Sequence, residues 1–226
     1  MNQLVVGLGE VGGPLRELLD ADGYDTQRGV FTPAHYDVLH IAFPYRAIQF
    51  EQQVLEYQTI TGPQLTIIHS TVPIGTTAQF ERAVHSPVNG THAHMRRDLR
   101  IVPKLIGGWL AWEASKVLAV AGIPIGQLYP TAEQTEALKL MCLAKYGIYI
   151  ATSRMCEEIA KSVGLTTRDI QDWDRQYNEH VPTHLRRPRV TPQGGSIGGH
   201  CVIPGTALLY EDVPHPLLEG VLRYGG

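Results

Sequence analysis

Six residues near the start of the chain, GLGEVG from Gly7 to Gly12, narrow what it can fold into. They follow the β-branched run QLVV. They precede GGPLRELLDADG, whose apolar spacing predicts an amphipathic helix ended by Gly23. Glycine is needed where a strand turns sharply into a helix, where a ligand nears the backbone, and where helix and strand pack closely. That assigns Gly7, Gly9 and Gly12 in order. The amides at the helix start, with the positive end of its dipole, then face a phosphate. In this strand–turn–helix setting the pattern predicts a dinucleotide site, with Glu10 and Val11 contributing inside the turn. Asp25 stands near the distance at which an acidic residue takes a ribose 2′-hydroxyl, or it is a solvated turn residue. Arg28 nearby could take a 2′-phosphate instead, and NAD is the expected cofactor ahead of NADP.

The runs YDVLHIAFP and QLTIIHSTVP, closed by Pro44 and Pro73, are apolar almost throughout, as strands buried on both faces of a parallel sheet are. Between them Ala47, Phe50, Val54 and Tyr57 recur at helical spacing. RIVPKLIGG and GIPIGQLYP predict further strands around the helix WLAWEASKVLAVAG. Strands alternating with helices mean an α/β fold, here a Rossmann-type, doubly wound parallel sheet over residues 1–130. The stretch from Tyr24 to His35 is too short for a full strand–helix–strand unit, so the adenosine side should be pared down. Pro44 and Ser70, at the ends of strand runs, are expected to border the cofactor.

After Tyr129 the pattern predicts one long helix up to Gly164, with Thr131 as its N-cap. TTRDIQDWDRQYNEH predicts a shorter helix, and a loop rich in Pro, Arg and Gly follows from Val181 to Gly205. Residues 131–226 thus form a mainly helical segment with a glycine-rich loop carrying Cys201. In that setting Cys201 is a nucleophile or a buried small hydrophobe.

A net charge of −3 gives no reason to expect nucleic acid or anionic membranes as partners. The cysteines Cys142, Cys156 and Cys201 form no CxxC pair, which predicts a reducing, cytoplasmic setting. Met1 runs into an apolar strand without a signal-type leader. LKLMCLAKYGIYIATSRM is broken by Lys145 and Arg154 and should not span a membrane. His92 and His94 lack a completing Cys or carboxylate cluster, and Pro182 spoils the pair His180 and His184, so no metal is expected. His200 beside Cys201 reads as a structural or substrate-contact residue. Arg186, Arg187 and Arg189, and separately Arg96 and Arg97, are solvated charge or anion contacts.

Four stretches, GLGEVGGPL, HSTVPIGTT (69–77), TEALKL (135–140) and GGSIGGHCVIP (194–204), together resemble the UDP-glucose/GDP-mannose dehydrogenase family in order and approximate spacing. The resemblance implies NAD-dependent oxidation of a sugar alcohol. It implies Cys201 as nucleophile, Lys139 as active-site lysine, and Thr71 placing a water or the reacting oxygen. It also implies a small-molecule, possibly anionic substrate, and a homodimer formed through the long helix. Without it, Lys139 is a solvated helix residue and Thr71 a strand-end hydroxyl. This sequence departs from the family in having Leu143 for an asparagine, and Gly205 and Val88 for carboxylates. No stretch matches the family's C-terminal nucleotide-sugar domain. The missing acid/base groups favour a single hydride transfer over oxidation to the acid. A β-hydroxyacid dehydrogenase using Lys139 but no cysteine, and a non-catalytic dinucleotide-binding protein, are the alternatives.

Overall fold

The computed structural model describes residues 1–25, 34–46, 48–190, 197 and 199–225. Arg28, Ala47 and the GGS of 194–196 lie outside the described residues. The chain divides into two compact units, Met1–Lys139 and Leu140–Gly226.

The first unit is built on a seven-stranded sheet: β1 (Gln3–Val6), β2 (Asp22–Tyr24), β3 (Val38–Ile41), β4 (Leu65–Ile68), β5 (Ala83–His85), β6 (Lys104–Gly107) and β7 (Ile125–Tyr129), in the order β2-β1-β3-β4-β5-β6-β7. All neighbours pair in parallel except β5 and β6, which meet antiparallel at His85 and Gly107. Alternation along the strands sends side chains to two cores. Val5, Val38, Leu65, Ile67, Val84 and Ile106 pack on one face with α1 (Gly12–Leu19), α3 (Met95–Ile101) and α4 (Ala111–Val120). Leu4, Val6, Leu39, Ile41, Ile68 and Ala83 pack on the other, with Phe50, Val54 and Tyr57 of α2 (Ile48–Thr61). This is the α/β, doubly wound architecture the sequence predicts. The chain leaves β1 for β2 on one side and returns to β3 on the other. The carboxyl ends of β1 and β3 therefore form the switch point where such sheets open a crevice.

The second unit contains most of α5 (Ala132–Ser162), with α6 (Thr167–Glu179), α7 (Gly199–Asp212) and α8 (Pro216–Gly225). Helix α5 begins right after Thr131, whose amide donates to Gln134 Oε1 at 3.3 Å. A full capping box starts α6, where Thr166 and Asp169 exchange side-chain-to-backbone bonds. Val202, Ile150, Ile197 and Val221 form the centre of this unit's core.

Several local expectations are corrected. Helix α1 ends at Leu19, and Asp20 takes the left-handed turn at φ 50° that the sequence reading gave to Gly23. A short polar side chain tolerates that conformation. Gly23 instead sits in β2, where a Cβ would lie 2.7 Å from Arg16 Cδ. Arg100 and Ile101 close α3 rather than opening a strand. Cys201 lies in the first turn of α7, not in a loop. Pro204 and two glycines argued for a loop there, but buried Val202, Thr206 and Leu209 follow helical spacing, and that apolar face prevails.

Two helical glycines make opposite demands. A Cβ on Gly147 would meet Val221 Cγ1 at 2.7 Å and Val202 Cγ1 at 2.9 Å, whereas one on Gly220 meets nothing within 4 Å. Gly147→Ala is expected to destabilise the chain by about 1–3 kcal/mol through overpacking. Gly220→Ala should stabilise it by up to about 1 kcal/mol through helix propensity. Urea unfolding of the two variants checks both signs.

Candidate functional site

The turn after β1 holds its shape through backbone contacts. Gly7 has φ 92°, and a Cβ there would lie 2.7 Å from the amide nitrogen of Phe43. A Cβ on Gly12 would lie 1.7 Å from the carbonyl oxygen of Gly7. Gly9 differs, because among the described residues nothing lies within 4 Å of the position its Cβ would take. Two of the three glycines are thus required by the chain's own packing, and the third faces open space. Val11 is the N-cap of α1 and makes no side-chain cap bond, while Glu10 beside it is exposed. The turn is tied to β2 by Gly7 N–H donating to Tyr24 O at 2.8 Å and Leu8 N–H to Asp25 Oδ2 at 2.9 Å. Asp25 therefore stands at the carboxyl end of β2, against the glycine turn.

The neighbouring strand ends complete this edge. Ser70, after β4, donates its hydroxyl to Phe43 O at 2.6 Å, and Pro44 after β3 is exposed. Thr71 is half-buried. The turn that follows is held by Glu136 of α5, whose carboxylate accepts from Gly75 N–H at 2.6 Å and Thr77 N–H at 2.8 Å. Burial pushes the Glu136 carboxyl up from its ordinary value, against the downward pull of those bonds. One turn later on α5, half-buried Lys139 donates to Val88 O at 2.8 Å and Asn89 Oδ1 at 3.2 Å.

A second lysine lies behind this one. Lys104 is 3% exposed and reaches Ser86 O at 2.5 Å, Pro87 O at 2.9 Å and His69 Nδ1 at 3.2 Å. Lys104 and Lys139 together thus hold four successive residues, Ser86 to Asn89, by their oxygens. Burial first, and then the Lys139 charge, lower Lys104 well below an ordinary lysine. From His69 the polar chain continues inside the apolar layer: His69 Nε2 is 3.1 Å from His40 Nδ1, and His40 Nε2 is 3.0 Å from Gln3 Oε1. On the opposite face His85 contacts Thr135 Oγ1 at 2.9 Å and Ser70 O at 3.1 Å.

Sequence reading missed Glu136, Lys104 and these histidines. Glu136 was visible in TEALKL, three residues before Lys139, but it carried no signal of the turn it holds. His40, His69 and His85 stand in or beside apolar strand runs, where no spacing marks them for a role. Among the described residues no group of three metal-ligating side chains forms, and no helix is long and apolar enough to cross a membrane.

In the second unit Cys201 is partly buried and in no disulfide. The departures at Leu143 and Gly205 turn out to be one feature. A Cβ on Gly205 would lie 2.5 Å from Leu143 Cδ1, so an apolar contact stands where the resemblance places two polar groups. Of the arginines considered as anion contacts, Arg187 packs over the Tyr177 ring at 4.1 Å, and its backbone is bonded both ways to the Asn178 side chain. Arg186 and Arg189 are exposed.

Comparison with protein-family models and with curated protein sequences returns no match. Solved structures do match. UDP-D-ManNAc dehydrogenase from Pyrococcus horikoshii superposes with a TM-score of 0.83 at 19% identity, covering 100% of this chain and 68% of that one. The 3-hydroxyisobutyrate dehydrogenase of Mycobacterium tuberculosis matches with a TM-score of 0.71 at 15% identity, covering 99% and 92%. Psf3, solved in complex with NADP+, matches with a TM-score of 0.64 at 13% identity over 98% and 92%. The chain has the fold of these proteins along essentially its whole length. It spans about two thirds of the UDP-sugar enzyme.

The buried histidines give the fold a defined acid limit. Burial, reinforced by Lys104, lowers His40 and His85 to about 3, and His69 falls well below its ordinary 6.5. Unfolded, each takes up a proton near pH 6.5; folded, it stays neutral. Stability from these groups is full above pH 6.5 and falls as pH drops toward 3. Each contributes a slope of about 1.4 kcal/mol per pH unit in that window. Urea titrations between pH 7 and 4 should show this slope, and His85→Gln should lower it by one histidine's share.

Proposed function

We propose that the chain is an NAD-dependent oxidoreductase that moves a hydride from the alcohol of a small, sugar-type substrate, as a short relative of the nucleotide-sugar dehydrogenases. The observation that carries this reading is the contrast within the glycine turn. Gly7 and Gly12 are demanded by packing, while Gly9 opens onto space at the switch point of the sheet. That is the room a pyrophosphate needs against a helix start without a side-chain cap. Asp25, an acceptor at the end of β2, suits a ribose 2′-hydroxyl and opposes a 2′-phosphate, which favours NAD. The Gly7–Gly12 turn, Asp25, Pro44 and Ser70 would hold the dinucleotide, which supplies a hydride acceptor when bound.

The chain's own residues do the rest. Lys139, steadied by Val88 O and Asn89 Oδ1, receives the alcohol proton and stabilises the oxygen as the hydride leaves. Lys104 fixes the Ser86–Pro87 part of that segment, and Glu136 fixes the turn after Thr71. The Leu143–Gly205 contact leaves no carboxylate there to activate water, so the reaction stops after one hydride. Cys201 enters by its chemistry alone, as a thiol outside any disulfide in the first turn of α7. The exposed residues Met141, Tyr146, Met155 and Ile159 of α5 fit a homodimer formed through that helix. A second reading, a β-hydroxyacid dehydrogenase, is favoured by the 92% coverage of the 3-hydroxyisobutyrate enzyme and needs no cysteine.

Calorimetric titration with NAD tests the reading. Wild type should bind, and Gly9→Val should lose about 100-fold in affinity, about 2.7 kcal/mol, without losing thermal stability. Absence of NAD binding by the wild type overturns it. In turnover assays Lys139→Met should abolish activity under either reading, whereas Cys201→Ser should spare it only in the hydroxyacid enzyme.

A further inference from the structure

The flank of α1 that meets α3 carries a feature the proposed reaction does not use. A depression of about 620 Å³ is lined by Pro14 of α1, by His94 and Met95, and by Arg96, Arg97 and Arg100. Arg100 follows Arg97 by three residues and Arg96 by four, so it neighbours each of them on the surface of α3.

Arg97 is held in place from below. Its Nε and Nη2 donate to Asp98 Oδ1 at 2.9 and 2.7 Å. Asp98 is buried, and its other oxygen accepts from the Thr91 amide at 2.8 Å and the Thr91 hydroxyl at 2.9 Å. Gly90 allows this approach, since a Cβ there would lie 2.9 Å from Asp98 Cβ. The Thr91 amide and then Arg97 keep the Asp98 carboxyl low, at about 2, so it stays charged at any working pH. A buried carboxylate anchored to backbone thus sets the guanidinium plane of Arg97 and leaves its remaining N–H groups toward solvent.

The other two arginines are scarcely committed. Arg96 meets Glu17 at 3.4 Å with both side chains more than half exposed, an ion pair of little strength. Arg100 has no ion-pair partner among the described residues. Arg16 of α1 leans instead toward the β2 side, donating to Ala21 O at 3.2 Å. The depression therefore lies on a different flank of α1 from Asp25.

We propose that Arg97 and Arg100 form an anion subsite for the phosphate group of a small molecule other than the dinucleotide. Guanidinium pairs are suited to phosphate oxygens, and a fixed Arg97 loses little freedom on binding. That this molecule is the substrate rests on the oxidoreductase reading above; the subsite itself does not.

The test uses inorganic pyrophosphate as the probe, by calorimetry on the full chain. Wild type should bind it, more weakly as salt rises. Arg97→Met with Arg100→Met should weaken binding at least about tenfold. Arg100→Met alone removes no ion pair and should weaken it measurably with unfolding unchanged. In a Gly9→Val background the arginine double substitution should weaken pyrophosphate binding by the same factor, which separates the arginines from the glycine turn. Arg168→Met with Arg223→Met, on the second unit, removes the same charge and should have no effect. No binding by wild type, equal loss in that charge control, or loss in Gly9→Val but not in the arginine variants overturns the subsite. Loss of NAD binding in the arginine double variant also overturns it, by assigning those residues to the cofactor. Pyrophosphate binding by a wild type that does not bind NAD supports the subsite and defeats only the oxidoreductase reading.

Discussion

The first unit is organised by how near Gly12 lies to the carbonyl of Gly7. No side chain fits between them, so α1 starts directly on the end of β1 and its amides face outward from the sheet. Gly7 in turn presses on the backbone of Phe43, which brings the end of β3 against the same turn. Ser70 then ties β4 to Phe43, and Asp25 ties β2 to Leu8. Four strand ends are thereby fixed around one glycine turn, and the open position at Gly9 is the product of that closure.

On the far side of the sheet, order comes from buried charge rather than close backbone packing. Lys104 and Lys139 approach the Ser86–Asn89 segment from a strand and a helix and occupy its oxygens in sequence. Such burial is costly for an ammonium unless its donors are used, and here the carbonyls of Ser86 and Pro87 accept from Lys104. The stacked His40 and His69 rings carry the polar chain toward Gln3 through surroundings that are otherwise Val, Leu and Ile. Placing several polar groups in one layer fixes how β1, β3, β4 and β6 sit side by side more narrowly than aliphatic packing alone.

How much of this the sequence announces depends on the kind of signal. The Gly7–Gly12 turn, the apolar runs of β3 and β4, and the long α5 are legible, because turn chemistry and long periodic stretches act locally. At three residues each, the strands DGY and AVH are too short to announce themselves as β2 and β5. Helix α3 is hidden in a charged stretch whose only buried residues are Met95, Asp98 and Leu99. Cys201 looked like a loop residue because Gly and Pro are local signals, while the burial of Val202 and Leu209 is a tertiary one. In the candidate site Lys139 was visible, but Lys104 and Glu136 were not. Their roles depend on partners at Ser86, Pro87, Gly75 and Thr77, which no spacing rule connects to them.

The contact between Leu143 and Gly205 constrains how this chain can change. A larger residue at 205 meets the leucine, and a smaller or polar one at 143 leaves the glycine facing a gap. A change at either position alters what the other packs against, so the effects of the two need not add. The two therefore form a coupled pair, and a polar group introduced at 205 must first displace the Leu143 side chain. An apolar contact of this sort makes the departure hard to reverse, whatever the chain now binds.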